Sequence, residues 1–108
     1  MVFIEAPPFE RVRQDYLDDD RYRLMQATLM ANPSTGDLIR GSGGIRKLRW
    51  AAAGTGKRGG LRVIYYCFTE RERILLLTMY RKSEVSDLTP AEVKALRALV
   101  ESLGGDER

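Results

Sequence analysis

Apolar positions change their spacing along this chain, and each change marks a different kind of element. Val2 to Glu5 alternate weakly, as a short strand does. After Pro7-Pro8, the residues Phe9, Val12 and Tyr16 recur at helical spacing, with Pro8 suited to a first helical turn. Asp18-Asp19-Asp20 breaks that helix and caps a second, because carboxylates accept from the free N–H groups at a helix start. Tyr22, Met25 and Leu29, with Leu24 and Thr28 on the adjoining row, keep a 3.6-residue period until Asn32-Pro33-Ser34-Thr35-Gly36 ends it. The first third thus predicts a strand followed by an antiparallel helix pair.

Beyond the Gly41-Ser42-Gly43-Gly44 loop the period falls to two. Residues 45–50, 61–68 and 74–80 read as strands, the last two joined by a charged hairpin turn, Glu70-Arg71-Glu72-Arg73. Short connections between consecutive strands imply antiparallel pairing. Thr89-Pro90-Ala91-Glu92 is a capping box with proline at the first helical position. Val93, Leu96, Val100 and Leu103 form the apolar stripe of a terminal helix that Gly104-Gly105 stops. The expected architecture is α+β, with an antiparallel sheet, two N-terminal helices packed on it and a C-terminal helix. At 108 residues this is one domain over the whole chain.

Strand parity sorts the side chains between the faces of that sheet. Lys47 and Arg49 share one face of their strand, Leu48 and Trp50 the other. Arg62, Ile64, Tyr66 and Phe68 lie opposite Leu61, Val63, Tyr65 and Cys67. Thr78, Tyr80 and Lys82 lie opposite Leu75, Leu77 and Met79. With the helices on one face, the other presents Lys47, Arg49, Arg62, Tyr80 and Lys82.

Charge sharpens this picture. From Leu38 to Thr69 the chain carries Arg40, Arg46, Lys47, Arg49, Lys57, Arg58 and Arg62 and no acidic residue. That stretch contributes +7 to a chain whose net charge is +3, so the remainder is −4. A concentrated basic patch on strands suits a polyanion, above all a nucleic-acid backbone. Arginine and lysine would neutralise phosphates, and Tyr66 or Tyr80 would stack on a base.

Composition narrows the chemistry further. The chain holds no histidine, which removes the commonest general base and every Ser-His-Asp arrangement. Cys67 is alone, so no internal disulfide and no cysteine-based metal site is expected. The carboxylates lack paired, metal-like spacing, and no metal or cofactor is expected. Gly54-Thr55-Gly56-Lys57-Arg58 is not a phosphate-binding loop, since Ala51 and Arg58 stand where that pattern needs glycine and serine or threonine. No apolar run spans a bilayer and no leader is visible, so the expected location is the cytoplasm. Catalysis would rest on lysine, arginine, tyrosine or carboxylates. A lysine crowded by cations, Lys47 or Lys82, is a candidate base, and arginine suits the charge that builds on a phosphorane-like transition state. Such a site would cleave RNA through 2′-hydroxyl attack on the adjacent phosphate.

The ordered set Gly36-Asp37-Leu38-Ile39, residues 41–50, residues 56–66, Tyr80-Arg81-Lys82-Ser83-Glu84 and Asp87-Leu88-Thr89 resembles the RelE/ParE superfamily of bacterial toxins, and more closely its HigB-type branch. The resemblance implies a RelE-like fold with a twisted antiparallel sheet. It also implies a ribosome-dependent mRNA endonuclease that inhibits translation, held silent by a cognate antitoxin of the helix-turn-helix, DNA-binding kind. The basic pair on the family's second strand matches Lys47 and Arg49, the arginine opening its third strand matches Arg62, and the basic residue after its fourth matches Arg81 or Lys82. The family's C-terminal catalytic tyrosine aligns near Leu88, and Tyr80 is the substitute. Lys47, Arg49, Arg62, Tyr80 and Lys82 are the expected catalytic set, with Arg46, Lys57, Arg58, Tyr66 and Arg81 contacting RNA or ribosome. The same scaffold also supports a ParE-like inhibitor of DNA gyrase or a noncatalytic module that binds antitoxin or RNA.

Overall fold

The computed structural model describes residues 1–50, 60–68 and 72–104. Strand β1 (Val2–Glu5) leads through Ala6 into helix α1 (Pro7–Tyr16), which opens on proline as expected. Helix α2 (Asp19–Ala31) is capped by Asp18, whose carboxylate accepts from the Arg21 N–H at 2.8 Å. Strands β2 (Asp37–Leu38), β3 (Arg46–Trp50), β4 (Leu61–Phe68) and β5 (Arg73–Arg81) follow, then helix α3 (Pro90–Gly104). The capping box forms in both directions: Thr89 N–H donates to Glu92 Oε1 at 2.8 Å, and Glu92 N–H to Thr89 Oγ1 at 3.1 Å.

The five strands form one sheet in the order β1-β5-β4-β3-β2. Four neighbours are antiparallel from β2 to β5, while β1 joins the β5 edge in parallel. Strand β2 is too short to show a period of its own, and only its pairing with β3 creates it. The expected turn before β5 falls mostly outside the described residues, as do Lys57 and Arg58.

Helices cover both faces, which corrects the expectation of one bare face. On one side, Phe9 and Leu17 of the α1 region and Met25 and Leu29 of α2 bury Leu48, Leu61, Val63, Tyr65, Ile74, Leu76 and Met79. On the other, Leu96 and Val100 of α3 cover Ile45, Ile64, Leu75, Leu77 and Tyr80. The expected parity holds on β3 and β4 but fails on β5. There Leu75 and Leu77 lie on the same side as Tyr80, because the register slips between Ile64 and Tyr65, which pair with Thr78 and Leu76. The extra residue on β5 flips the parity of everything before it. At its end α3 packs so tightly that a Cβ on Gly104 would lie 1.9 Å from Phe68 Cζ. Leu103, expected in the buried stripe, is exposed instead.

Candidate functional site

The β3-β4-β5 register aligns three expected residues in one row: Arg49 faces Arg62, and Arg62 faces Tyr80. The next row holds Lys47, Ile64 and Thr78. Like charges placed directly opposite each other on neighbouring strands destabilise a sheet. No acid stands between Arg49 and Arg62. Among the described residues the Arg62 guanidinium hydrogen-bonds only the carbonyl of Leu61, at 3.3 Å, and Arg49 is exposed with no hydrogen bond or ion pair. A local rule broken without compensation in the fold is a mark of a functional position.

Lys47 and Arg49 open into a cleft of about 680 Å³ between the β2–β3 region and the flank of α3. Its other cations are Arg40 from the loop before β3 and Lys94 and Arg97 from α3; its two acids are Asp37 and Asp87. Lys47 Nζ lies 3.6 Å from Asp87 Oδ1, so the crowd of cations expected around this lysine includes a carboxylate. The Leu88 N–H, at 2.8 Å, and then Lys47 hold the Asp87 carboxyl below the usual aspartate range. Lys82, exposed just past β5, acts on Asp87 in the same direction more weakly.

The remaining expected residues have other surroundings. Tyr80 is in the row yet buried beneath α3, and it borders a separate, mainly apolar cavity of about 280 Å³. Burial first, then Asp87, pushes its phenol up, so it stays protonated at neutral pH. Tyr66 packs edge-on to Phe68, with ring centroids 4.8 Å apart, and the Arg97 guanidinium lies 5.6 Å over its ring. Arg97 also donates to the Gly43 carbonyl at 3.1 Å, tying α3 to the glycine loop. Arg46 is on the α1–α2 side, donating to the carbonyls of Ser34 at 3.2 Å and Gly36 at 2.7 Å. Arg81 is on that side too, 5.2 Å over the Tyr16 ring.

Asp87, Lys94 and Arg97 were absent from the expected site. Lys94 and Arg97 do leave a trace in the sequence, since Pro90, Lys94 and Arg97 recur at four and three residues and so form a second row on α3 beside its apolar stripe. Asp87 has no periodicity to place it, although it stands in the set that carries the family resemblance; only the path of the β5–α3 connection brings it to Lys47.

Comparison with known proteins bears on the family and the fold. The sequence model of one family, described as RelE toxin of the RelE/RelB toxin–antitoxin system, matches residues 3–106. Among solved structures, a free-state double arginine-to-alanine mutant of the E. coli toxin RelE superposes with a TM-score of 0.54 at 12% identity, over 91% of this chain and 94% of that one. At that identity the likeness is one of fold. Among the described residues no helix is long and apolar enough to cross a membrane.

Proposed function

Because the chain belongs to the RelE toxin family of toxin–antitoxin systems, we propose that it is a ribosome-dependent mRNA endonuclease acting through the basic cleft. The observation that carries this reading is the uncompensated Arg49–Arg62 pair beside Lys47, at the edge of a cleft with five cations and two acids. Lys47 and Arg49 grip the scissile phosphate. The Arg62 guanidinium meets the charge that builds on the phosphorane-like transition state. Tyr80 stands behind Arg62 in the same row and keeps it turned toward that charge. With Lys47 paired to Asp87 and committed to the phosphate, Lys82 takes the proton of the 2′-hydroxyl, whose oxygen attacks the adjacent phosphorus. The bond to the 5′-oxygen breaks and that oxygen takes up a proton from solvent water, leaving a 2′,3′-cyclic phosphate and a 5′-hydroxyl.

Arg40, Lys94 and Arg97 extend the grip along the backbone, and Lys57 and Arg58 of the β3–β4 connection reach ribosomal RNA. A family antitoxin is the partner, and we take it to be of the helix-turn-helix kind, with an acidic segment to neutralise the patch. The test is mRNA in a translating extract: the purified protein cuts it in phase with codons and leaves naked RNA intact, and Arg62→Ala abolishes cutting. Uncut message, or inhibition of gyrase supercoiling in its place, would overturn the reading.

A further inference from the structure

We propose that Tyr16, at the end of α1 on the far side of the sheet, is a positioning residue for Lys47, acting through a strap formed by residues 82–89. The Tyr16 phenol donates to Glu84 Oε1 at 2.9 Å. The Arg81 guanidinium lies over the same ring, and its buried Nε has no hydrogen-bond partner among the described residues, so the ring face is what it meets. Glu84 and Val85 N–H both donate to the Arg81 carbonyl, at 2.9 and 3.1 Å, which closes the strap into a turn where it leaves β5. Val85 then packs into the core beneath α3.

Two residues later the strap reaches the cleft, where Asp87 accepts from Leu88 N–H and stands 3.6 Å from Lys47 Nζ. The strap is therefore held at one end on the α1 side and meets Lys47 at the other. A lysine has a long, freely rotating stem, and a fixed carboxylate selects where its ammonium sits before a phosphate arrives. Releasing Glu84 from Tyr16 frees the first anchor and lets Asp87 wander from Lys47.

The inference rests on the nuclease reading, and its test separates the two. Tyr16→Phe removes one hydroxyl and keeps the ring beneath Arg81. Loss of one hydrogen bond predicts that kcat for mRNA cleavage falls about fivefold with KM within about twofold, and that the Leu88 amide exchanges about fivefold faster. Glu84→Gln keeps an acceptor and restores the wild-type rate. Glu84→Ala matches Tyr16→Phe, and the double variant falls no further, since both remove one interaction. Unchanged Leu88 exchange in Tyr16→Phe, or losses that multiply in the double variant, would overturn the proposal. Amide exchange reads the strap without catalysis, so a wild-type protein that cuts no message defeats the nuclease reading while the exchange data still decide on the strap.

Discussion

The two faces of the sheet use similar residues in opposite ways. On the α1–α2 face, Arg46, Tyr65 and Tyr22 are closed upon partners within the fold. Arg46 holds two carbonyls, the Tyr65 hydroxyl donates to Pro33 O at 2.7 Å while accepting from Gly36 N–H at 2.9 Å, and Tyr22 donates to Glu5. On the α3 face, Arg40, Arg49 and Lys94 carry no hydrogen bond or ion pair among the described residues. Arg46 and Lys47 are adjacent in sequence and point to different fates. A count of basic residues therefore says less about function than the face each one occupies, because a guanidinium tied to two backbone carbonyls is held in place and cannot turn to a phosphate on the other face.

The largest effect should come from Arg62→Ala, which removes a transition-state cation and abolishes cleavage in a translating extract, a loss on the order of 100-fold or more, with the melting temperature little changed. Retained activity would erase the functional side of the contrast. Gly104→Ala drives a methyl into Phe68 at the end of α3 and should cost about 2 kcal/mol in denaturant unfolding. It tests whether the α3 face needs its cover as tightly fitted as it stands. Arg46→Ala orphans the Ser34 and Gly36 carbonyls and should cost about 1.5 kcal/mol, yet leave cleavage per folded molecule within about twofold. A large loss of specific activity there would break the comparison from its other side.

Lys94→Ala should weaken RNA binding about threefold and lower the slope of log affinity against log salt by about 0.7, the value for one phosphate contact on a single strand. The smallest effect concerns pH. The Asp87 carboxyl titrates below its ordinary range, so the stabilisation its charge brings is complete above that range and is lost as pH falls through the lowered value. Followed by carboxylate NMR, the Asp87–Lys47 contact should persist at about pH 5 and break only in stronger acid.

Much of this molecule is legible in local pattern. The helix starts at Asp18 and at the Thr89–Glu92 box depend on side chains within three residues of the N–H groups they satisfy, so sequence alone places them. The parities of β3 and β4 are equally local, and they separate Lys47 and Arg49 from Leu48, and Arg62 from Val63. The absence of acids from residue 38 to 69 and of histidine throughout restricts the chemistry before any fold is known.

Other features exist only once distant segments meet. The slip on β5 is a mismatch of register between two strands, and it reverses the sides of Leu75 and Leu77. Strand β1 is parallel because Ala6 and α1 carry the chain back over the sheet, and β2 is a strand only through β3. Tyr80 is buried because α3 takes the face that parity left bare, and the same helix turns an open basic surface into a cleft walled by Lys94 and Arg97. Asp87 meets Lys47 across 40 positions of sequence. Periodicity tells which side of its own element a residue faces; what lies across from it is decided by which elements compete to bury apolar surface, and that competition is settled only by the whole fold.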